Sequence, residues 1–538
     1  MKLLWALGGR SMRIGVDVGG TNTDAVMMDG TDVVATVKTA TTRDVGSGIV
    51  QAIERTLAQA GSGPTDVRAV MIGTTQLTNA LVERSRLARV AIIRICLPSN
   101  ADLRPMLDWP AGLVGAVDGA TYLVAGGYEF DGAEIAPLGE AEVVSAARDI
   151  RRRGIRNVAV SCIFSPANDS MEKRAAQILL SEHPEANITL SSELGRLGMI
   201  ERENAAIMNA ALAQVSNQVV TAFKDALVAM RIQAPCFLSQ NDGTLMSAEY
   251  AQRYPVLTFA SGPTNSMRGA AFLCGSDIRE AIVVDIGGTT TDVGALTNGY
   301  PRESSAPVNI GGVRTNFRMP DVLSIGLGGG STVAFDDGCQ VGPNSVGLEL
   351  AHKAMVFGGG VLTATDIAVA AGSARIGDAA LVADLPANLV SQAHDRINHM
   401  VDSAIDRMKM SADPLPVVLV GGGSDLISRT LQGASDIHVP KHAEVANAIG
   451  AAMAQVSGEV DGVFRYDALG RKEAIERAET KARRRAIAAG ADPDSIRLVD
   501  RDEIPLAYLA GGPVRVRVKV VGDLLMGDDQ CITTKTEG

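Results

Sequence analysis

The sequence has few of the residues that build metal centres, disulfide frameworks and aromatic surfaces. Among 538 residues there are six cysteines and six histidines, and aromatic residues make up 4%. The cysteines are scattered and form no CxxC pair, which excludes a disulfide framework and is typical of reduced thiols. We therefore expect a cytoplasmic protein without a zinc site of its own.

A positive net charge and long apolar runs are also missing. The formal net charge is −11, which argues against nucleic acid or an anionic membrane surface as the main partner. No stretch is long and apolar enough to cross a bilayer, and the apolar run Leu3–Leu7 is shorter than a signal-peptide core. We interpret residues 1–11 as a leader from an early start codon, because a clean strand pattern begins at Met12.

The chain does have the length for two or three domains and a regular alternation of strand and helix patterns. Buried-strand patterns such as residues 157–164 follow helical spacing such as residues 141–153, and a long Ala-rich helix is predicted over residues 204–230. This alternation predicts an α/β fold. We divide the chain into a first lobe (residues 12–195), a second lobe (residues 196–456) and a small α+β C-terminal extension (residues 457–538).

Two glycine turns, half a chain apart, share one pattern. Ile14-Gly-Val-Asp-Val-Gly-Gly-Thr-Asn-Thr-Asp24 and Ala281-Ile-Val-Val-Asp-Ile-Gly-Gly-Thr-Thr-Thr-Asp-Val293 each combine a buried strand, an aspartate, two glycines and hydroxyl side chains. Glycine lets backbone N–H groups converge on phosphate oxygens, because no Cβ blocks the approach. A lone Gly-Gly pair is usually just a hairpin turn, but the repetition favours a phosphate clamp between two related lobes. The predicted phosphate-binding residues are Gly19, Gly20, Thr21, Asn22, Thr23, Gly287, Gly288, Thr289, Thr290 and Thr291.

Four aspartates in these turns are the predicted catalytic residues. Asp17 and Asp285 stand at the strand ends, where carboxylates beside a triphosphate need a cation to offset repulsion. We therefore predict that these two hold Mg²⁺, directly or through water. Asp24 and Asp292 begin the returning strands, where they either orient threonines, bind metal or act on a nucleophile.

Two more glycine-rich turns follow in the second half. Gly328, Gly329 and Gly330 lie in a turn that either touches a ligand or only makes a tight bend. Gly421, Gly422, Gly423 and Ser424 follow a buried strand and suit the flat approach of an adenine or a ribose. The spacing of small apolar residues over 445–456 then predicts an amphipathic helix.

Several polar residues are candidates for the substrate side of the cleft. Thr74, Thr75 and Asn79 lie at a strand-to-helix junction, where hydroxyls either cap the helix or face the glycine turn. Asn241 and Asp242 follow a strand whose carboxyl end would face a ligand, although an Asn-Asp-Gly sequence is also an ordinary turn.

The C-terminal extension contains a strictly alternating segment over residues 513–520. Valines on one face and Arg515, Arg517 and Lys519 on the other predict a half-buried strand. We favour a charged outer face that discourages edge pairing over a docking surface for a partner subunit.

Two acid-containing turns followed by a third glycine loop resemble the phosphate and adenosine segments of the actin, heat-shock-70 and sugar-kinase fold. Within that superfamily, five segments in order over about residues 13–455 resemble the A subunit of hydantoinase/oxoprolinase proteins. These segments are residues 73–84, 239–247, 261–263, 286–292 and 324–331. Residues 347–353 depart from the family, which often has a glycine-proline-cysteine stretch there.

The resemblance implies a two-lobed fold with duplicated phosphate-binding hairpins, ATP and Mg²⁺ as cofactors, and a separate or fused B-type subunit. In this family ATP activates a cyclic amide for ring opening, and relatives include lactam-opening enzymes and ketone carboxylases. Our leading hypothesis is an ATP-dependent cyclic-amide hydrolase subunit. Two alternatives stay open, a carboxylase subunit or small-molecule kinase of the same fold, and a nucleotide-driven scaffold protein. The predicted substrate-side residues are Thr74, Thr75, Asn79, Asn241, Asp242 and Gly262.

Overall fold

The fold is taken from a computed structural model of the chain. It describes residues 12–42, 45–130, 132–194, 196–275, 278–304, 308–317, 319–335, 338–427, 431–506 and 512–525. The leader predicted at residues 1–11 and the sixth cysteine, Cys531, lie outside the described residues.

Strands and helices alternate along the chain, which confirms the predicted α/β class. In chain order the strands are β1 (Met12–Val18), β2 (Asn22–Asp29), β3 (Asp32–Ala40), β4 (Val67–Thr74), β5 (Val90–Leu97), β6 (Asp118–Ala125), β7 (Gly127–Tyr128), β8 (Glu134–Ala136), β9 (Asn157–Cys162), β10 (Asn187–Leu190), β11 (Cys236–Ser239), β12 (Leu245–Ser247), β13 (Ala281–Ile286), β14 (Thr291–Thr297), β15 (Tyr300–Pro301), β16 (Val308–Ile310), β17 (Val313–Thr315), β18 (Val322–Ile325), β19 (Ser331–Ala334), β20 (Gln340–Ser345), β21 (Leu415–Val420), β22 (Ala434–His438), β23 (Val456–Arg465), β24 (Arg497–Pro505) and β25 (Pro513–Gly522).

Helices cover the faces of the sheets, and none of those described has both the length and the apolar character needed to cross a bilayer. In chain order the helices are α1 (Val45–Ala60), α2 (Gln76–Val82), α3 (Ala111–Val117), α4 (Glu140–Arg152), α5 (Ser170–Glu182), α6 (Ser191–Leu194), α7 (Met199–Ala229), α8 (Ala248–Arg253), α9 (Ser261–Cys274), α10 (Leu350–Lys353), α11 (Ala364–Ala370), α12 (Ala387–Met408), α13 (Ala446–Ala452), α14 (Tyr466–Leu469) and α15 (Arg471–Ala488).

The two halves of the fold repeat one arrangement of strands. In the first sheet, β1 pairs antiparallel with β2 and parallel with β4, and Asp17 stands opposite Asp24. In the second sheet, β13 pairs antiparallel with β14 and parallel with β21, and Asp285 stands opposite Asp292. The identical register confirms that the two glycine turns belong to related hairpins at the ends of parallel strands.

The first sheet has nine strands in the order β24-β25-β23-β12-β11-β4-β1-β2-β3. This one sheet contains strands from each of the three predicted ranges, 12–195, 196–456 and 457–538. The division of the chain at these bounds stays a prediction. The largest hydrophobic core packs α1 and α15 against this sheet and includes α7, which packs against α1. A second core surrounds β13, β14, β21 and α12.

A separate sheet of four parallel strands, in the order β10-β9-β5-β6, is inserted between β4 and α7. A buried ion pair joins it to α7, since Arg94 Nε on β5 lies 2.7 Å from Glu203 Oε2. Ser161 on β9 donates to the same carboxylate at 2.6 Å. Every charge in this network is satisfied, which is the condition under which a buried pair is tolerated.

Helices α9 and α13 cross between the two sheets at very close range. A Cβ added to Gly269 would lie 1.8 Å from the carbonyl oxygen of Ala446, and one added to Gly450 would lie 1.8 Å from that of Asn265. A Cβ at Gly15 on β1 would lie 2.2 Å from the carbonyl oxygen of Ala448. Three glycines therefore let β1, α13 and α9 stack without side chains between them.

Two sequence predictions about the second half of the chain are wrong in detail. The predicted helix over 445–456 ends at Ala452, and Val456 instead begins β23. Every residue of α13 except Asn447 is buried, because β1, β4 and α9 enclose it. The strand predicted over 513–520 exists as β25, but it is not an edge strand, since β23 and β24 flank it. Its charged face is used within the chain, where Arg515 pairs with Asp461 at 2.6 Å.

Candidate functional site

A cleft of about 450 Å³ lies where the two duplicated hairpins meet. This is within the range of about 300–1,000 Å³ that is typical of ligand pockets. A Cβ placed on Gly288 would lie 3.2 Å from Thr21 Cγ2, so the two glycine turns face each other at contact distance. The predicted residues that line the cleft are Gly19, Gly20, Thr21, Asn22, Asp24, Asp285, Gly287, Gly288, Thr289, Thr290, Gly329, Gly421, Gly422 and Gly423.

Both turns are closed by the same backbone hydrogen bond. Gly19 N donates to Asn22 O at 3.0 Å, and Gly287 N donates to Thr290 O at 2.9 Å. The tips of the turns therefore present backbone N–H groups and hydroxyls toward the cleft, an arrangement that suits phosphate oxygens.

Thr23 and Thr291 differ from the other predicted phosphate ligands because both side chains are buried. Thr23 Oγ1 lies 3.2 Å from Thr41 Oγ1, and Thr291 Oγ1 donates to Leu327 O at 2.7 Å. Their hydroxyls hold the hairpins in place and are not among the groups that line the cleft.

The later glycine loops brace the second turn from behind. Gly330 N donates to Gly288 O at 2.7 Å, and Gly423 N donates to Ile286 O at 2.8 Å. A Cβ on Gly328 would lie 2.5 Å from Thr289 N, so this glycine is required for close packing. Gly328, Gly330 and Ser424 do not line the cleft, which gives them a supporting role.

Asp285 lines the polar end of the cleft and is partly exposed, whereas Asp17 does not line the cleft and is only 5% exposed. Burial raises the pKa of Asp17 to about 7, and the negative charge of Asp24 adds to this shift. Burial also raises the pKa of Asp285, although Ser266 Oγ donates to its Oδ2 at 2.5 Å. Buried carboxylates that repel each other mark a place where a bound cation would be stabilised.

Two residues that the sequence did not reveal complete this polar end. Lys38 Nζ on β3 lies 2.7 Å from Asp24 Oδ1 and donates to Glu444 O at 3.1 Å, which links the first hairpin to the segment before α13. Asn447 Nδ2 on α13 donates to Asp17 and to Asp24 at 3.0 Å each. The sequence around Lys38 forms no motif, and Asn447 lies more than 400 residues from the aspartates that it contacts. Neither residue could therefore be recognised as part of the site from its neighbours in the sequence.

The polar end fits Mg²⁺ held jointly with phosphates, but not a metal held by protein alone. Oδ1 of Asp17 is buried and makes no hydrogen bond of normal geometry. Within the described residues, no group of three or more His, Cys, Asp or Glu side chains has the arrangement of a metal site. Mg²⁺ characteristically binds one or two carboxylates together with waters and substrate phosphates. Asp17 and Asp285 match that donor set.

Asp292 stands apart from the other three aspartates. Its side chain accepts a hydrogen bond from Ser324 on β18, and burial raises its pKa to about 6. Asp292 does not line the cleft. Its position therefore favours a structural role, holding β14 against β18, over the predicted catalytic one.

The other end of the cleft is apolar. Leu348, Phe357 and Ile376 line it although each remains partly exposed, and Leu350 and Leu426 lie beside them. Part of this surface comes from the segment 347–353, where the sequence departs from the family pattern. A cleft that is polar at one end and apolar at the other matches a nucleotide, with its phosphates at the glycine turns and its base on the apolar wall.

The predicted substrate-side residues divide into two groups. Thr75, Asn79 and Gly262 lie near the end of β4, where a Cβ on Gly262 would be 4.0 Å from Thr75 Cγ2. Thr74 is buried and its Oγ1 accepts from Gln76 N at 3.2 Å, so the structure supports the capping interpretation for this hydroxyl.

Asp242 is not brought to the cleft. Its Oδ2 lies 2.9 Å from Lys519 Nζ and accepts from Ser457 Oγ at 3.2 Å. Burial disfavours its charge, but the charge of Lys519 and the hydrogen bonds from Lys519 and Thr244 together lower the pKa of Asp242. Asp242 and Asn241 line a different cavity of about 150 Å³, together with residues of β23 and α15. The prediction failed for Asp242 because its partner lies on a strand nearly 280 residues later.

The raised pKa of Asp17 leads to a prediction about stability. Because its folded-state pKa of about 7 exceeds the ordinary value of 3.8, the stabilising contribution of this group is present at low pH and is lost as pH rises through about 7. We expect Asp17→Asn to raise the melting temperature of the nucleotide-free protein at pH 8, with an advantage on the order of a few kcal/mol that shrinks toward pH 5.

The measurement is thermal unfolding between pH 5 and pH 8, with Asp406→Asn, an exposed carboxylate on α12, as the control. A lower melting temperature for Asp17→Asn at every pH would contradict this account of the carboxylate.

The duplicated hairpins, the crossing helices and the interlobe cleft define a two-lobed protein of the actin, heat-shock-70 and sugar-kinase fold. The N-terminal region model of hydantoinase/oxoprolinase matches residues 13–183, and the hydantoinase/oxoprolinase model matches residues 202–378. Together they cover more than half of the chain, which belongs to the hydantoinase/oxoprolinase family.

Two relatives show the range of activities in this family. The caprolactamase subunit alpha of Pseudomonas jessenii is 27% identical over 386 residues, covering 67% of this chain and 54% of that protein. The acetophenone carboxylase gamma subunit of Aromatoleum aromaticum is 26% identical over 401 residues, covering 67% and 53%. The chain thus spans about half the length of the curated relatives it matches.

Solved structures confirm the fold. The ATP-dependent caprolactamase from Pseudomonas jessenii superposes with a TM-score of 0.77 at 21% identity, covering 95% of this chain and 87% of that one. Nucleotide-free acetone carboxylase gives a TM-score of 0.68 at 18% identity, covering 96% and 88%.

Proposed function

We propose that this chain is an ATP-dependent subunit that phosphorylates the carbonyl oxygen of a cyclic amide, of hydantoin, oxoproline or lactam type, for ring opening with a B-type partner. The observation that carries the proposal is the cleft with two facing glycine turns, Asp24 and Asp285 at one end and an apolar wall at the other. Asp17 is hydrogen-bonded to Asn447, which also lines the cleft. The similarity to a caprolactamase subunit supports the choice of a cyclic amide.

In this proposal the nucleotide lies along the cleft. Residues 19–22 and 287–290 bind the phosphates, Gly421 to Gly423 flank the nucleoside, and Leu348 and Phe357 contact the base. Asp17 and Asp285 hold Mg²⁺, which supplies neutralising charge to the triphosphate when bound.

Phosphoryl transfer makes a poor electrophile reactive. The bond between the γ-phosphorus and the bridging oxygen of ADP breaks, ADP leaves with the electron pair, and a new bond forms between the γ-phosphorus and the carbonyl oxygen. The amide nitrogen loses its proton as the imidate forms. Water then adds to the ring carbon, the C–N bond breaks with a proton going to nitrogen, and cleavage of the bond between that carbon and the phosphorylated oxygen releases phosphate and leaves a carboxylate. The protein's part is positioning and charge neutralisation, to which the turn N–H groups contribute directly.

We assign the hydrolytic half of the reaction to the partner. The described residues contain no cluster of His, Cys, Asp or Glu side chains with the arrangement of a metal site that could activate water on its own. The relatives' names describe them as subunits, which supports the existence of a partner subunit.

A ketone carboxylase subunit is the second candidate, because the acetophenone carboxylase gamma subunit is as similar to this chain as the caprolactamase subunit is. The same cleft could transfer phosphate to a ketone enolate. A small-molecule kinase and a nucleotide-driven scaffold protein remain alternatives with no specific observation in their favour.

The experiment measures ADP release by the purified chain with ATP, Mg²⁺ and a panel of hydantoins, lactams, ketones and sugars, with and without a B-type subunit. We expect cyclic amides to stimulate ADP release, and ring opening to require the partner. Stimulation by ketones alone would support the carboxylase, and ATP hydrolysis indifferent to every compound would contradict both candidates.

A further inference from the structure

The cavity of about 150 Å³ that Asn241 and Asp242 line is separate from the cleft between the glycine turns, since no residue lines both. Strand β23 and helix α15 contribute residues to its lining. A Cβ added to Gly458 on β23 would lie 2.0 Å from Ala482 O, so the helix packs directly on the strand. We call this space the β23 cavity.

Four carboxylates line the β23 cavity, and each already has a cation within ion-pair distance. The pairs are Glu193 with Arg253 at 3.1 Å, Asp242 with Lys519 at 2.9 Å, Asp461 with Arg515 at 2.6 Å and Glu459 with Arg196 at 3.8 Å. Of the four cations only Arg196 lines the cavity, so three of the carboxylates are neutralised from outside it. The negative charge of the lining is therefore balanced.

Two further cations, Lys481 and Arg485 on α15, line the β23 cavity. Neither belongs to an ion pair among the described residues. Arg485 Nη1 donates to the backbone oxygen of Glu459 at 2.7 Å, and this oxygen carries no formal charge. Asp169, the acid whose charge acts on Lys481, is itself paired with Lys173 at 2.9 Å. The lining thus has two positive charges in excess.

The two cations also repel each other. Side chains four residues apart on a helix share a face, and like charges in that arrangement are unfavourable. Lys481 reaches solvent, yet partial desolvation and the charge of Arg485 lower its pKa. A bound anion would relieve the repulsion, because an opposite charge favours the charged form of both side chains.

The rest of the lining limits the size and character of the anion. Leu257, Phe317 and Phe464 add apolar surface, which an inorganic anion would leave uncovered. A cavity of this volume holds a molecule about the size of benzene. Asn241 supplies a further polar group, since it is 4% exposed and its Nδ2 has no hydrogen-bond partner among the described residues.

We propose that the β23 cavity binds a small organic carboxylate. Lys481 and Arg485 hold its negative charge, and Leu257, Phe317 and Phe464 contact its hydrocarbon part. A guanidinium and an ammonium together suit the two oxygens of a carboxylate, because hydrogen bonds between ionised groups are the stronger ones. The site is distinct from that of phosphoryl transfer and does not depend on the proposed function.

The test titrates the full chain with pentanoate in a calorimeter. Pentanamide has nearly the same shape without the charge, and inorganic phosphate has the charge without the hydrocarbon. Lys481→Gln removes one of the two cations. Lys472→Gln is the matched control, because Lys472 lies on the same helix, its side chain is 91% exposed, and it lines neither the β23 cavity nor the cleft. ATP affinity and the melting temperature are measured for each variant.

We expect pentanoate to bind saturably, with pentanamide and phosphate each at least about tenfold weaker. Lys481→Gln should weaken pentanoate about tenfold or more, the loss of one charge-assisted hydrogen bond, and Lys472→Gln should leave it unchanged. The Kd for ATP should be the same in both variants, because the two sites share no residue. Without ligand, the melting temperature of Lys481→Gln should not fall below that of Lys472→Gln, since the substitution removes a repulsion.

Three outcomes would overturn the inference. Absence of saturable pentanoate binding to the unaltered chain would show that the β23 cavity holds only water. Pentanamide or phosphate binding as tightly as pentanoate would show that the site does not select an organic carboxylate. An unchanged pentanoate affinity in Lys481→Gln, together with a melting temperature below that of Lys472→Gln, would assign Lys481 to stability.

Discussion

Replacing Asp285 by asparagine is expected to lower substrate-dependent ADP release about 100- to 1,000-fold, the loss typical of removing one preorganised electrostatic group. The substitution keeps the shape and removes the charge that we assign to holding Mg²⁺. Because burial already raises the pKa of this carboxyl, the neutral variant should fold at least as well as the unaltered chain. Loss of turnover without loss of stability would separate a catalytic role from a structural one.

Steady-state ADP release measured alongside thermal unfolding checks this prediction, and Asp406→Asn on the exposed face of α12 controls for a surface carboxylate. If Asp285→Asn retained turnover within about threefold, the location of the active site would be wrong.

Gly421→Ala should be the most damaging change to the nucleoside side of the cleft. Gly421 has a φ of +85°, and an added Cβ would lie 2.3 Å from Asp285 Oδ1 and 2.5 Å from Ile286 O. A left-handed backbone conformation costs a non-glycine residue about 1–3 kcal/mol, and the clash adds to that cost. We expect a lower melting temperature and at least a tenfold weaker ATP affinity.

Gly422→Ala is the matched control, because its Cβ would meet only the flexible end of Lys38, with Cε at 3.3 Å. Isothermal titration with ATP, together with thermal unfolding, compares the two variants. Equal ATP affinities in Gly421→Ala and Gly422→Ala would show that the approach of this loop to Asp285 is irrelevant to binding.

The repeated hairpins could be predicted from the sequence because their information is local. A strand, an aspartate and two glycines specify both a turn and its chemistry, and the register that places Asp17 opposite Asp24 follows from the short connection. Two copies of that pattern were enough to predict the fold and the glycine turns at the phosphate end of the cleft. The pattern could not show whether the Thr23 hydroxyl binds phosphate or holds the hairpin in place. That depends on its contact with Thr41, which the pattern does not encode.

The rest depended on long-range packing. Lys38, Asn447 and the apolar wall at Leu348 are brought to the cleft from separate elements, and none has a recognisable local motif. The position of β25 inside the sheet depends on strand order, which alternation along a single strand cannot reveal. The pairing of Asp242 with Lys519, which removes Asp242 from the cleft, follows from that strand order.

The central claim is that the γ-phosphoryl group of ATP goes to a carbonyl oxygen. Its most direct test is ring opening of a lactam labelled with ¹⁸O at the carbonyl, by the chain together with its B-type subunit, followed by mass analysis of the released phosphate. We predict one ¹⁸O atom in each phosphate, because the phosphorylated oxygen leaves with phosphorus. Unlabelled phosphate accompanying ring opening would show that water attacks ATP directly and would contradict the claim.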